Sequence, residues 1–365
     1  MLKTTNGASA LRHRLSCCHN IEVIRGRGRE MTMLNQTRSV SLCLKAVLGM
    51  AMNERRYHVL FNDKAGTADA NGITSEALQE MFAAQGLVAY IDADTALPMA
   101  ERVASAAASA ADVIVAAGGD GTITALAGSL VDTTKSLAIL PLGTINALAK
   151  DLGVPLGLPA ALACLATALP QRIDVGEVNG RVFLHMVVIG LIPGVAAARE
   201  HIRAHPTTGA KLGLLRYFLR RLARTRPIPL VIETDVSGPK AERVQAVAIA
   251  SNAYDESLGH FFSRESLNRG TLTLYVLKRF SFFDFVRLTG GMLLGRWRND
   301  QALRVESVSR ASIRSHKGLL KVMVDGEVET LAPPLEFRVR ALALRVLAPS
   351  KAAAASFGNK EASLP

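Results

Sequence analysis

Two glycine corners carry the chemistry legible in this sequence. Gly118-Gly119-Asp120-Gly121-Thr122 follows an apolar run and precedes a helical pattern through Leu126 and Leu130. Glycines let a backbone approach phosphate closely and turn its N–H groups inward, and the helix N-terminus behind them adds a favourable dipole. That describes an anion cradle; the plain alternative is a glycine turn between strand and helix. Pro141-Leu142-Gly143-Thr144-Ile145-Asn146 repeats the arrangement after the strand-like Leu137–Leu140 and opens a helix through Ala147, Leu148 and Lys150. Asp120 inside an anion cradle repels phosphate unless a divalent cation stands between them, which implies Mg²⁺. Thr122, Thr144 and Asn146 are short polar groups that suit helix capping as well as orienting phosphate or ribose.

Placing these corners side by side requires a parallel sheet. Tyr57–Phe61 reads as a strand ending in the turn formers Asn62-Asp63-Lys64-Ala65-Gly66. Ile73–Gln85 has helical spacing with Gly86 as its stop, Leu87–Ile91 is a second strand, Ala96–Ala110 a helix, and Asp112–Ala117 a third strand, apolar after its first residue. Strands alternating with helices through Leu169 predict a parallel sheet wound by right-handed crossovers. Ligands of such sheets bind at the carboxyl ends of the strands, where both corners fall.

Past Arg172 the pattern changes. Ile173–Val178, the Asn179-Gly180 turn and Val182–Val188 predict a hairpin. Strands are expected at Leu230–Thr234, Val244–Ser251, Thr271–Leu277, Ala311–Arg314, Leu320–Val324, Leu335–Val339 and Leu342–Val346, a mainly antiparallel half. Helices are expected at Lys211–Arg224 and Phe282–Leu294, with the boundary between the halves near residue 176. The first helix interleaves Lys211, Arg216, Arg220, Arg221 and Arg224 with leucines, which suits either an anionic lipid surface or a core-packed helix with solvated charges. Phe280, Phe282, Phe283 and Phe285 could line a lipid cleft, but four Phe at the start of a helix more commonly fill a core.

Composition narrows the class. At 365 residues and 49% hydrophobic, the chain is long enough for about two domains of ~150 residues. Its longest apolar stretch, Met186–Ala198, falls short of the ~20 residues of a membrane span. Four cysteines without metal-ligand or disulfide spacing point to a reduced, cytoplasmic protein. Of the net charge of +12, residues 1–56 supply +7, with ten Lys/Arg against three Glu. Those residues lack a sustained hydrophobic period and read as a leader, disordered or preceding a true start at Met52. With the surplus charge concentrated there and aromatics at 5%, no nucleic acid is expected as a partner. Residues beyond Pro349 read as a loose tail.

The two corners together resemble the diacylglycerol kinase catalytic domain family, which includes sphingosine kinases, ceramide kinases and soluble bacterial lipid kinases. Gly118–Thr122 is similar to its nucleotide loop, Pro141–Asn146 with Ala149 and Leu152-Gly153 to its second loop, and Asp325-Gly326-Glu327 to its late acidic turn, over roughly residues 57–348. The resemblance implies a Rossmann-like three-layer α/β/α domain over residues 56–175 and a β-sandwich acceptor domain over 176–348. It implies ATP and Mg²⁺ as cofactors, with Asn62, Lys64, Gly118, Gly119, Gly121, Thr122, Gly143, Thr144 and Asn146 at the nucleotide and Asp120 and Asp174 at the metal. Glu327 is then the first choice for the base and Asp120 its competitor. Taken alone, Val324-Asp325-Gly326-Glu327 is a good hairpin turn, and Asp174 a capping or salt-bridging residue.

The family's Asn-Pro-x-Ser-Gly becomes Asn62-Asp63-Lys64-Ala65-Gly66 here, Ala147 replaces an Asp found in diacylglycerol-kinase-like members, and Arg269-Gly270 stands where an acidic Asp-Gly is usual. The implied activity is transfer of the γ-phosphate of ATP to a lipid hydroxyl between the two domains, with a lipid substrate and peripheral contact with a membrane surface. A homodimer remains open. The rivals are an NAD-kinase-like enzyme and a catalytically inactive lipid or nucleotide sensor.

Overall fold

The computed structural model describes residues 55–66, 72–190, 227–255, 264, 266–278, 284, 287, 290 and 303–350. Strand β1 (Arg56–Phe61) lies parallel between β2 (Val88–Asp92) and β3 (Val113–Gly118), and β3 pairs in parallel with β4 (Ser136–Pro141). Every residue of β3 and β4 is buried, as a sheet covered on both faces demands. The cover comes from α1 (Ser75–Ala84), α2 (Met99–Ala108), α3 (Asp120–Leu130), α4 (Ala147–Asp151) and α5 (Leu158–Thr167). Right-handed crossovers put α1 on one face and α2 and α3 on the other, and α1 packs against α5 while α2 packs against α3. Helix α1 starts where Thr74 Oγ1 accepts from Ala77 N at 3.2 Å, and buries Leu78 and Phe82, four apart on one face. In α3 the buried stripe is Ile123, Leu126, Ala127 and Leu130.

The last strand, β16 (Leu335–Ala348), returns to this sheet, pairing in parallel with β4 and antiparallel with β5 (Leu169–Val178). Beyond it the same sheet continues antiparallel through β13 (Arg310–Arg314), β8 (Ile228–Thr234) and β9 (Lys240–Val244), while β6 (Arg181–Phe183) pairs with β5. A second sheet, wholly antiparallel, has the order β12 (Leu303–Val308), β11 (Leu272–Leu277), β10 (Ala246–Ser251), β7 (Met186–Gly190), β14 (Leu320–Val324), β15 (Glu327–Leu331). One core fills the α/β part around Leu60, Ile114, Leu126 and Leu137. A second lies between the sheets around Phe183, Ile249, Leu274, Ile313 and Phe337. The three-layer α/β/α and β-sandwich architecture expected from the sequence is thus observed.

Three strand expectations are corrected. The run Val182–Val188 is two strands in different sheets, because the chain turns at Leu184 and His185, where backbone N–H groups are claimed by Asp325. Val244–Ser251 breaks at Gln245, passing from β9 in the first sheet to β10 in the second; opposite the break, Gly190 at φ +104° leaves room for the Gln245 carbonyl. Leu335–Val339 and Leu342–Val346 form one strand with a bulge between Arg340 and Leu344, where Leu342 is left-handed at φ +51°.

The expected helix Lys211–Arg224, the leader through residue 54, the tail beyond 350 and Phe280, Phe282, Phe283 and Phe285 lie outside the described residues. Of Phe282–Leu294, Asp284, Arg287 and Gly290 are described, and all three are helical. Among the described residues no helix is long and apolar enough to cross a membrane.

Close packing at the sheet crossover gives a stability prediction. A Cβ on Gly176 would lie 2.1 Å from Cζ of Phe183, whose ring is fully buried and cannot swing aside. Gly176→Ala is expected to cost about 1–3 kcal/mol by overpacking, read from the urea midpoint.

Candidate active site

Strands β3 and β4 end in register, with Gly118 opposite Pro141, so both glycine corners emerge at the same carboxyl edge. Leu142 N donates to Gly118 O at 3.1 Å. A Cβ on Gly143 would sit 2.6 Å from Gly119 Cα, and one on Gly118 would sit 2.7 Å from Thr122 Oγ1. The backbones touch because no side chain separates them.

Side chains lock the pair. The carboxylate of Asp120 accepts Asn146 N at 3.1 Å on Oδ2 and Ala147 N at 2.8 Å on Oδ1, so the first corner caps the helix that follows the second. Asn146, left-handed at φ +51°, closes its own corner: Gly143 N donates to its Oδ1 at 2.9 Å, and its Nδ2 donates to Gly143 O at 2.8 Å. Asn62 Nδ2 donates to Thr122 Oγ1 at 3.3 Å, tying the loop after β1 to the first corner. Beneath that loop, the buried Arg102 guanidinium donates to Phe61 O at 2.8 Å, Asp92 O at 2.6 Å and the Asp92 carboxylate at 3.1 Å. It fixes the carboxyl ends of β1 and β2 together.

Two adjoining cavities open here. One of about 360 Å³ lies between the corners, lined by Gly119, Asp120, Gly143, Thr144 and the facing Asp325-Gly326 turn. The other, about 490 Å³, runs along α3 past Thr124 and Met99 to Arg181 and Glu327. Asn62, Gly121, Thr122 and Asp325 line both. Glu327 Oε1 stands 3.2 Å from where a Cβ of Gly121 would be, and Oε2 is 3.8 Å from Arg181 Nη2. Its side chain is 69% exposed, open to an incoming acceptor.

Asp325 explains how the turn carrying Glu327 is held. Left-handed at φ +47° and half-buried, it accepts Leu184 N, His185 N and Met186 N at 2.7, 2.8 and 3.0 Å, and Thr124 Oγ1 lies 3.3 Å from its Oδ2. Burial pushes its pKa up, opposed by the three amides and by Arg264. Arg264 in turn donates to Asp151 Oδ2 at 2.7 Å, Leu184 O at 2.6 Å and Ser251 O at 2.9 Å, joining α4 of the α/β part to the second sheet.

The structure brings Asn62, Gly119, Asp120, Gly121, Thr122, Gly143, Thr144 and Glu327 around these cavities, while Gly118, buried at the end of β3, lines neither. Asn146 supports its corner from below. Lys64 is exposed, its N donating to Asn62 Oδ1 at 3.3 Å, and it lines neither cavity. Asp174 is buried elsewhere: its Oδ2 accepts Gly270 N at 2.6 Å and its Oδ1 accepts Leu342 N at 2.8 Å, bracing the β16 bulge. Sequence reasoning quoted Asp325 only as part of a turn and missed Arg181, Arg102 and the Asp151–Arg264 pair. A lone arginine has no local signature; an arginine ten residues after an aspartate is no more telling.

His185 sets a pH dependence. Burial first, and the Arg264 charge second, lower its pKa well below 6.5, and burial also lowers that of His58 despite Asp92. Both bind protons less readily folded than unfolded, so their contribution is complete above about pH 6.5, where the unfolded chain is neutral too, and is lost as pH falls below it. The urea midpoint is expected to fall between about pH 7 and pH 5, and less steeply in His185→Gln.

The family model of the diacylglycerol kinase catalytic domain matches residues 56–178. Diacylglycerol kinase of Bacillus subtilis is 28% identical over 290 residues, 76% of this chain and 92% of that protein. A probable lipid kinase, YegS-like, of Pseudomonas aeruginosa PAO1 is 51% identical over 87 residues, 23% of this chain and 28% of that protein. Among solved structures, a diacylglycerol kinase from Bacillus anthracis has a TM-score of 0.61 at 20% identity, covering 82% of this chain and 98% of that one, a likeness of fold.

Proposed function

We propose that the protein is an ATP-dependent lipid kinase that transfers the γ-phosphate of ATP to a diacylglycerol-like or sphingoid-like hydroxyl. The observation that carries this is the position of Glu327, an exposed carboxylate set against the first of two touching glycine corners. The names of the Bacillus and Pseudomonas relatives support the lipid as acceptor class.

In this mechanism the corner amides and Thr144 hold the triphosphate between Gly119 and Gly143, and Asn62 with Thr122 fixes the rim. The lipid oxygen attacks the γ-phosphorus, the bond to the β-bridging oxygen breaks, ADP leaves, and the hydroxyl proton passes to Glu327. Arg181, paired closely with Glu329, stands 3.8 Å from Glu327 Oε2 and faces the same cavity. Asp120 gives both oxygens to amides and is therefore the strut between the corners rather than the base. It keeps a lone pair on each oxygen and lines the cavity, so it suits Mg²⁺ carried in by the phosphates, which supplies neutralisation of the phosphoryl oxygens. Among the described residues no three His, Cys, Asp or Glu side chains gather into a metal cage, and Asp174, committed to two amides away from the cavities, acts as a brace. Residues 56–175, joined by the end of β16, serve the nucleotide and the rest of 176–348 the acceptor, drawn from a membrane surface.

The test is γ-labelled ATP with diacylglycerol, a sphingoid base and NAD as acceptors. Label is expected in a lipid phosphomonoester; label in NAD alone rejects the assignment. Comparing the lipids of cells with and without the protein then identifies the acceptor.

A further inference from the structure

A third cavity, about 430 Å³, lies at the opposite edge of the parallel sheet, where β3 and β4 begin. Six-residue strands at ~3.3 Å per residue put it roughly 17–20 Å from the glycine corners. Arg55, Lys135 and Arg345 line it, three cations from remote parts of the sequence, with Asp112 as the one carboxylate in its lining. Each cation is held by backbone carbonyls: Lys135 Nζ donates to Ala111 O at 2.8 Å and to Ser109 O, Arg345 Nη1 to Thr134 O at 3.1 Å, and Arg55 Nη1 to Ala168 O at 3.2 Å. Carbonyls orient these heads without cancelling their charge. Asp112 is engaged by a further cation, accepting Arg56 N at 3.0 Å with the Arg56 guanidinium at 3.5 Å. Arg345 also stands directly across from Arg172 in the β5–β16 pairing, a like-charge juxtaposition that costs stability when nothing neutralises it.

We propose that this cleft binds a phosphate-type dianion, a second anion site separate from the glycine corners. Pre-oriented guanidinium and ammonium groups in a half-enclosed cavity match a phosphate monoester in charge and geometry. The same chemistry is offered by free phosphate and by the headgroup of an anionic lipid, and the site does not depend on the kinase assignment.

The test uses the full chain. Inorganic phosphate is titrated calorimetrically, with and without excess ATP, into the wild type, Lys135→Met/Arg345→Met and the milder Arg55→Gln. Flotation with phosphatidylcholine vesicles, plain or containing phosphatidic acid, forms the second arm. Phosphate binding that persists in excess ATP and weakens at least tenfold in the double variant supports a soluble ligand. Retention on the phosphatidic acid vesicles alone, lost in the double variant, supports a headgroup. If the double variant unfolds by circular dichroism, Arg55→Gln decides, with weakened binding expected. Binding abolished by ATP, unchanged in a folded variant, or absent in both arms overturns the site.

Discussion

Glu327→Gln lowers kcat for lipid phosphorylation by about 10²–10⁴-fold while leaving ATP affinity and the thermal midpoint near those of the wild type. The amide keeps the shape of the side chain and loses its capacity to accept a proton. Glu327 is exposed and makes one long ion pair, to Arg181 at 3.8 Å, so little of the fold rests on it. Rapid-mix kinetics with saturating ATP and lipid measures the effect. A kcat within threefold of wild type would remove Glu327 from the chemistry and return Asp120 to consideration as the base.

Arg264→Met destabilises the protein by about 3–5 kcal/mol, because it strands Asp151 as an uncompensated charge. The two side chains are 1% and 2% exposed, and the guanidinium also satisfies the Leu184 and Ser251 carbonyls. Replacing both partners, Arg264→Met with Asp151→Leu, recovers much of the loss by removing both buried charges, although the freed carbonyls retain part of it. Urea unfolding of the singles and the double, as a mutant cycle, reports the coupling. Additive losses would mean the pair does not act as a unit.

The glycine corners were legible because their need for close backbone approach is written in residue type. Gly143 admits no Cβ against Gly119, and the runs before the two corners carry the uninterrupted apolar signature of central parallel strands. The path of the chain between the sheets was not legible. Breaks at His185 and Gln245 lie inside apolar runs, and what interrupts them is a carboxylate, Asp325, about 140 residues away in sequence, and a glycine, Gly190, on another strand. The same non-local cause hid the function of Asp120, whose partners Asn146 and Ala147 become neighbours only once β3 and β4 are paired. Lys64 and Asp174 looked like site residues by position in a motif; burial and hydrogen bonding, which motif position does not encode, direct one to solvent and the other to a bulge.

Equilibrium ATP binding to Gly143→Ala, with Gly157→Ala as control, tests the placement of the triphosphate most directly. The added methyl at 143 would meet Gly119 Cα at 2.6 Å and must push the corners apart, whereas a methyl at 157 enters open space. The expected result is ATP affinity reduced by at least about thirtyfold, roughly 2 kcal/mol, at 143 and unchanged at 157. A folded Gly143→Ala protein that binds ATP as tightly as the wild type would show that the nucleotide sits elsewhere.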